Sequence, residues 1–162
     1  MQRELGYDRF VSSQPEYSML WRVIEAEVVP TSRELGLSQI VWSPLAQGVL
    51  TGKYLPGSVP PPDSRAASEA MGGFFPSEWL QAPTLDAVQQ LSAVAEDADM
   101  TVAQLALAWV LREPNVASAI VGATRPEQIR ENAAASGKTL DPQTLRRIEG
   151  VLAPALEQPR PG

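Results

Sequence analysis

The amino-acid sequence indicates an α/β protein with a parallel sheet, because short apolar runs alternate with segments of helical periodicity. The runs at residues 10–13, 39–42 and 117–121 are typical of buried strands. Strands that alternate with helices form βα units, in which the strands run parallel. The chain has 162 residues, of which 44% are hydrophobic and 20% charged, so it is long enough to bury one core.

Two helices are predicted from a proline position and from an apolar stripe. Residues 25–35 are expected to form a helix with Pro30 in its first turn, where a missing N–H costs little. Residues 85–98 carry Val88, Leu91 and Ala95 on one helical face. We expect that face to pack on the core.

Capping residues predict where three further helices begin. The candidate pairs are Thr101 with Gln104, Thr124 with Glu127, and Asp141 with Pro142. The helix after the first pair, at residues 103–111, is apolar nearly all round, which predicts a buried helix. The helix after the second pair is expected to run to about residue 135.

The composition excludes several kinds of chemistry. The chain has no Cys, so it can form no disulfide, thiol nucleophile or zinc–thiolate site. It has no His, which excludes a Ser-His-Asp triad and a histidine general base. A net charge of −6 disfavours binding to nucleic acid. With no membrane-length apolar run and no signal peptide, a cytoplasmic location without membrane partners is expected.

Polar and aromatic residues follow each predicted strand. The segments at these three strand ends are residues 14–17, 42–45 and 122–125. Functional groups of parallel α/β folds gather at the carboxyl ends of the strands. The three segments are therefore candidates for one ligand site.

The loop from Gly48 to Lys53 combines glycines and a lysine, as phosphate-binding loops do. A P-loop has four residues between its glycines and then Lys followed by Ser or Thr. Here three residues separate Gly48 from Gly52, and Tyr54 follows Lys53. The GxGxxG pattern of dinucleotide-binding folds is also absent. A nucleotide contact by this loop must use another geometry.

Three motifs in order along the chain resemble those of the aldo-keto reductases, in the branch that contains the potassium-channel β-subunits. They are QPEYS at residues 14–18, WSPLAQGVLTGKY at 42–54 and GATRPEQIREN at 122–132. The resemblance implies a partial (β/α)8 TIM barrel, about the last three βα units plus a C-terminal helix, over residues 1–153. Residues 154–162 are expected to be a disordered tail. A full barrel of this kind takes about 250 residues.

The resemblance also implies a site for NADP(H). Gln14 would bind the nicotinamide carboxamide, and Trp42 would stack on the nicotinamide ring. Other residues would hold the pyrophosphate or the adenosine end. Those near the pyrophosphate would be Ser43, Pro44, Leu45, Gly48, Lys53 and Arg65; those at the adenosine end would be Gly122, Thr124, Arg125, Gln128, Glu131 and Asn132.

The family's catalytic Asp, Tyr, Lys and His come from the first half of its barrel, and no motif here matches them. Two functions therefore stay open: the cofactor-binding half of an NADP(H)-dependent reductase of aldehydes or ketones, or a truncated nucleotide-binding or structural chain without reduction chemistry. In either case, exposed sheet edges and apolar faces favour association with an N-terminal half or with a second copy.

Overall fold

The structure is a computed structural model that describes residues 5–69 and 75–156. Its strands and helices are β1 (Ser12–Ser13), α1 (Val28–Leu35), β2 (Ser38–Val41), α2 (Ala82–Asp97), α3 (Val102–Leu111), β3 (Val116–Ala119), α4 (Pro126–Ala133) and α5 (Pro142–Leu156). Short 3-10 helices lie at Val23–Glu25, Ala46–Thr51, Arg65–Ala67 and Ser77–Leu80. The alternation of strands and helices is the one the sequence predicts.

Within the described residues the strands form one parallel sheet in the order β1-β2-β3. Ser13 pairs with Gln39, and Gln39 pairs with Val116, before an irregularity shifts the register by one residue at Ile40. β1 and β3 are shorter than the apolar runs predict, and β2 begins and ends one residue earlier than its run. Beyond β3, Ile120 still donates its backbone N–H to the Val41 carbonyl at 2.7 Å. The prediction of a parallel sheet is confirmed.

A partly buried polar ladder joins the end of β1, the start of β2 and the residue before β3. Gln39 is fully buried, and its side-chain oxygen accepts a hydrogen bond from the Ser13 hydroxyl at 2.5 Å. The Gln39 side-chain amide donates to Asn115 at 3.1 Å, and Asn115 donates onward to the Leu37 carbonyl at 2.7 Å. A strand shifted by one residue would leave these polar groups unpaired, so the ladder fixes the register.

The helices cover only one face of the sheet. Val41 and Trp109 are fully buried on this side, among the apolar side chains of α2, α3 and α5. Since side chains alternate along a strand, the neighbours of Val41 point to the other face. There Trp42 is 41% exposed and Ile120 is 42% exposed. The expectation that the strands are buried is therefore wrong for one face, because nothing in the described part of the chain packs against it.

The first two helices differ slightly from the prediction at their starts. α1 begins at Val28, three residues later than expected, because Val23–Glu25 forms a separate 3-10 turn. Pro30 lies in the first turn of α1, as predicted. α2 begins at Ala82, three residues earlier than expected, with Pro83 in its first turn. Its predicted stripe is buried.

Two of the predicted caps form. Thr101 accepts a hydrogen bond from the Gln104 backbone N–H at 3.2 Å, and the Gln104 side chain accepts one from the Thr101 N–H at 3.1 Å. Asp141 accepts backbone N–H bonds from Gln143 at 2.7 Å and Thr144 at 2.9 Å. These bonds favour the ionised carboxylate and lower the pKa of Asp141.

The last helix runs further than the predicted domain boundary. α5 continues through Leu156, three residues into the segment expected to be a tail, and contains Pro154. The rest of that segment, 157–162, lies outside the described residues. Among the described helices, none has both the length and the apolar character needed to cross a bilayer.

Candidate functional site

The ends of β1 and β2 lie side by side, which brings Gln14 close to Trp42. The Trp42 backbone N–H donates to the Pro15 carbonyl at 3.1 Å, and the Tyr17 N–H donates to the Trp42 carbonyl at 3.2 Å. Both Gln14 and Trp42 are exposed. An aromatic ring and a carboxamide therefore face solvent together at one end of the sheet.

The loop after β2 has an unusual backbone conformation. Five of its residues have positive φ, and three of these are not glycine: Ser43 at 53°, Ala46 at 46° and Gln47 at 53°. Left-handed conformations of this kind cost non-glycine residues about 1–2 kcal/mol each. Hydrogen bonds hold the turn, including one from the Gly48 N–H to the Leu45 carbonyl at 2.9 Å. Within the loop, Pro44 is buried, while Ser43, Leu45 and Gly48 are partly exposed.

Lys53 lies directly over Gly48. Gly48 has a φ of 101°, and a Cβ placed there would be 3.0 Å from Cε and 3.1 Å from Nζ of Lys53. The absence of a side chain at Gly48 therefore lets the ammonium approach the backbone of the loop. A cation next to exposed backbone groups suits an anionic ligand such as a phosphate.

Arg65 reaches the end of β3 in the same manner. A Cβ placed at Gly122 would be 3.5 Å from the Nη2 atom of Arg65. Nearby, Asp63 lies 3.8 Å from Arg125 in an exposed ion pair. The segment from Lys53 to Arg65 therefore reaches from the loop after β2 to the end of β3. It brings together Lys53, Arg65 and the loops that the sequence marks as candidates.

The start of α4 is capped by a residue other than the predicted one. The side-chain oxygen of Gln128 accepts backbone N–H bonds from Thr124 at 2.8 Å and Arg125 at 3.2 Å. The capping box predicted for Thr124 and Glu127 is wrong, because the helix begins one residue later, with Arg125 as its N-cap. Gln128 thus has a structural role in addition to the predicted ligand contact.

The remaining adenosine-end candidates lie further along α4. Glu131 is exposed and Asn132 is half-buried. The Glu131 backbone carbonyl accepts a hydrogen bond from Gln104 at 3.1 Å, which ties α4 to the start of α3. The helix that carries these two side chains is therefore fixed against its neighbour.

Three residues near the site are not among the predicted ones. Tyr54 is buried and accepts a hydrogen bond from the Ala66 N–H at 3.4 Å, and Gln89 donates to the carbonyls on both sides of Lys53. Asp63 pairs with Arg125. Tyr54 directly follows Lys53 in the motif, so its position in the sequence could have marked it as part of the site. Gln89 gave none, because its contacts are made through the tertiary fold.

Burial changes the proton affinity of two side chains after β1. It raises the pKa of the Glu16 carboxyl, which lies in the chain segment paired with Trp42. Burial also raises the pKa of Tyr17, and Glu25 raises it further by accepting a hydrogen bond from the Tyr17 hydroxyl at 2.6 Å. Tyr17 therefore holds its proton firmly near neutral pH.

Comparison with known proteins decides the family. The Aldo/keto reductase family model matches residues 1–153. The chain belongs to the aldo/keto reductase family. This family consists of oxidoreductases that use nicotinamide cofactors.

Related aldo/keto reductases carry several functional names. A probable voltage-gated potassium channel subunit beta of Arabidopsis thaliana is 41% identical over 152 residues, which cover 92% of this chain and 46% of that protein. An NADH-specific methylglyoxal reductase of Escherichia coli (strain K12) is 36% identical over 131 residues, covering 81% of this chain and 38% of that protein. The chain thus spans less than half the length of these curated relatives.

A solved structure supports the fold. A glycerol dehydrogenase from Gluconobacter oxydans superposes with a TM-score of 0.73 at 23% identity, covering 93% of this chain and 44% of that one. Together with the parallel sheet and the one-sided helical layer, this likeness identifies the fold as part of an α/β barrel.

Proposed function

We propose that this chain supplies the cofactor-binding half of an NADP(H)-dependent reductase of aldehydes or ketones. The observation that carries the proposal is the position of two cations. Lys53 lies at Gly48 after β2, and Arg65 lies at Gly122 after β3. Two positive charges beside two glycine backbones fit a pyrophosphate that spans the strand ends.

The other residues fit the remaining parts of the cofactor. The exposed Trp42 ring offers a surface for the nicotinamide, and the adjacent Gln14 side chain can hydrogen-bond its carboxamide. The start of α4, near Arg125, suits the 2′-phosphate that distinguishes NADPH from NADH. Because one relative is NADH-specific, this preference needs its own measurement, with Arg125→Gln expected to weaken NADPH binding more than NADH binding.

In the proposed reaction, bound NADPH supplies the hydride that reduces the carbonyl carbon. The residues of this chain bind and orient the cofactor. We propose that the proton for the carbonyl oxygen comes from further βα units, because the resemblance places the family's catalytic Tyr in the first half of the barrel and the raised pKa of Tyr17 makes it a weak acid. We infer that such units cover the exposed face of the sheet, in the same polypeptide or in a second one.

The direct test is titration of the purified chain with NADPH, followed by tryptophan fluorescence and calorimetry. Saturable binding that Trp42→Ala and Arg65→Gln each weaken is expected. Arg146→Gln is the matched control, since it removes the same charge from an exposed position on α5 and leaves affinity unchanged. Absence of saturable binding at millimolar NADPH would refute the proposed function.

The second candidate is a nucleotide-binding or structural chain that performs no reduction. The similarity to proteins named as potassium channel subunits, rather than as reductases, favours it. The two candidates differ after binding is established. A reductase half gains NADPH-consuming activity with an aldehyde once the missing βα units are supplied, whereas a non-catalytic chain does not.

A further inference from the structure

Two side chains anchor the segment that carries the site's cations. We call residues 53–69 the basic excursion, because it contains Lys53 and Arg65. Gln89, on α2, donates hydrogen bonds to the carbonyls of Gly52 at 2.9 Å and Tyr54 at 3.1 Å. Gln89 therefore holds the backbone on both sides of Lys53.

The second anchor lies at the other end of the basic excursion. The Tyr54 hydroxyl accepts a hydrogen bond from the backbone N–H of Ala66, the residue after Arg65, at 3.4 Å. The Tyr54 ring is 2% exposed and packs edge-on against Phe75, with 5.7 Å between ring centroids. The half-buried Gln89 thus holds the carbonyls on both sides of Lys53, and the buried Tyr54 holds the N–H of the residue after Arg65.

We infer that Tyr54 and Gln89 are positioning residues that hold Lys53 and Arg65 against the strand ends for a dinucleotide pyrophosphate. The inference rests on the proposed function, to which it adds the means by which the cations are placed. Long basic side chains lose conformational entropy when a ligand immobilises them. A backbone that is already fixed lowers this cost, because only the side chain remains to be ordered.

A purely structural role for the same contacts makes a different prediction. If Tyr54 and Gln89 only stabilise the fold, removing their polar contacts lowers the melting temperature without a specific effect on cofactor affinity. Tyr54→Phe separates the two roles, since it keeps the ring against Phe75 and removes only the acceptor for Ala66. Tyr17→Phe is the matched control, because Tyr17 is also buried and hydrogen-bonded but contacts Glu25 and Arg112.

The experiment is a double-mutant cycle measured by NADPH titration at several salt concentrations. Tyr54→Phe is expected to weaken binding about three- to tenfold, the range for loss of one hydrogen bond, and to flatten its salt dependence. In an Arg65→Gln background the same change is expected to have no further effect, because the residue it positions is already gone. Gln89→Met is also expected to weaken NADPH binding, because it releases the backbone on both sides of Lys53. Tyr17→Phe should leave affinity unchanged.

Amide hydrogen exchange provides a readout that needs no cofactor. Tyr54→Phe is expected to speed exchange in residues 60–69, while Tyr17→Phe does not. Faster exchange with unchanged NADPH affinity, or an additive cycle with Arg65→Gln, would overturn the inference and leave the proposed function intact. If the wild-type chain binds no NADPH at all, the proposed function fails, and the role of the two anchors in cofactor binding fails with it.

Discussion

The guanidinium of Arg112 lies 3.6 Å from the ring centroid of the buried Trp109. The same guanidinium donates a hydrogen bond to the Tyr17 hydroxyl at 3.2 Å and lies 3.6 Å from Glu25. One side chain therefore joins the end of α3 to the segment after β1. This segment leads from β1 toward α1, so the cluster holds it against the end of α3.

Replacing Arg112 should destabilise the fold. Arg112→Met keeps an unbranched side chain beside Trp109 but removes the cation–π contact and the charged hydrogen bond, at an expected cost of about 1–3 kcal/mol. Urea unfolding followed by near-UV circular dichroism measures this. The control is Arg33→Met, which breaks an ion pair to Glu113 in which Arg33 is 59% exposed and should cost about 0–1 kcal/mol. Equal losses for the two variants would show that the Trp109 cluster adds nothing.

Glycine-to-alanine changes at two positions should have opposite effects. Gly48 has a φ of 101° and Lys53 against its Cα, so Gly48→Ala should lower stability by about 1–2 kcal/mol and displace Lys53. Gly150 lies in the middle of α5, and no atom of another described element comes within 4 Å of the point that a Cβ would occupy there. Gly150→Ala should therefore raise stability by about 0.5–1 kcal/mol. Thermal unfolding of both variants checks the signs. A stabilised Gly48→Ala protein would contradict the assigned backbone conformation.

Local signals in the sequence predict the helices well. The Thr101 and Gln104 cap forms as expected, because both partners belong to the same helical turn. The Thr124 and Glu127 pattern is equally good locally, yet Gln128 caps α4 instead. A shift of one residue in the helix start decides between the two caps. That shift depends on how α4 leaves β3, which no local pattern encodes.

The sequence predicts which residues belong to the candidate site, but not how the fold brings them together. The motifs mark Lys53, Arg65 and Gly122, but nothing in the sequence places Arg65 beside Gly122, 57 positions further along. The contact depends on the fold of the basic excursion, which Tyr54 and Gln89 anchor through tertiary hydrogen bonds. The exposure of the sheet face also could not be read from apolar runs, since it depends on what packs against them.

The half-buried carboxyl of Glu16 should make stability depend on pH. Because burial raises its pKa in the folded state, protonated Glu16 favours the fold, fully so below the carboxyl's ordinary pKa. This contribution is lost as pH rises through the raised pKa. Glu16→Gln should therefore be more stable than the wild type at neutral pH and should flatten this part of the profile. Denaturant unfolding at a series of pH values measures the effect.

A control separates burial of Glu16 from a general effect of negative charge. Glu34→Gln makes the same change of charge at an exposed position on α1. The Glu34→Gln protein should keep the fall in stability that Glu16 causes in the wild type. If both variants change the profile equally, net charge rather than burial of Glu16 controls it.

The open face of the sheet should make the isolated chain associate. Phe10 is 72% exposed and Ile120 is 42% exposed, and the outer edges of β1 and β3 have no strand partner among the described residues. Unpaired edges beside apolar side chains favour contact with a further sheet. We expect the average mass measured by light scattering to rise with protein concentration. Ile120→Lys should reduce this rise, because it places a charge on the apolar face.

Val59→Lys is the control for association through the sheet. Val59 is 90% exposed but belongs to the basic excursion and not to a strand, so its replacement should leave the mass unchanged. Addition of the βα units that complete the barrel should compete with self-association, because both use the same face and edges. A wild-type chain that stays monomeric at every concentration and unfolds cooperatively would contradict this prediction. The exposed face would then be stable in water without a partner, and a half-barrel would be sufficient for folding.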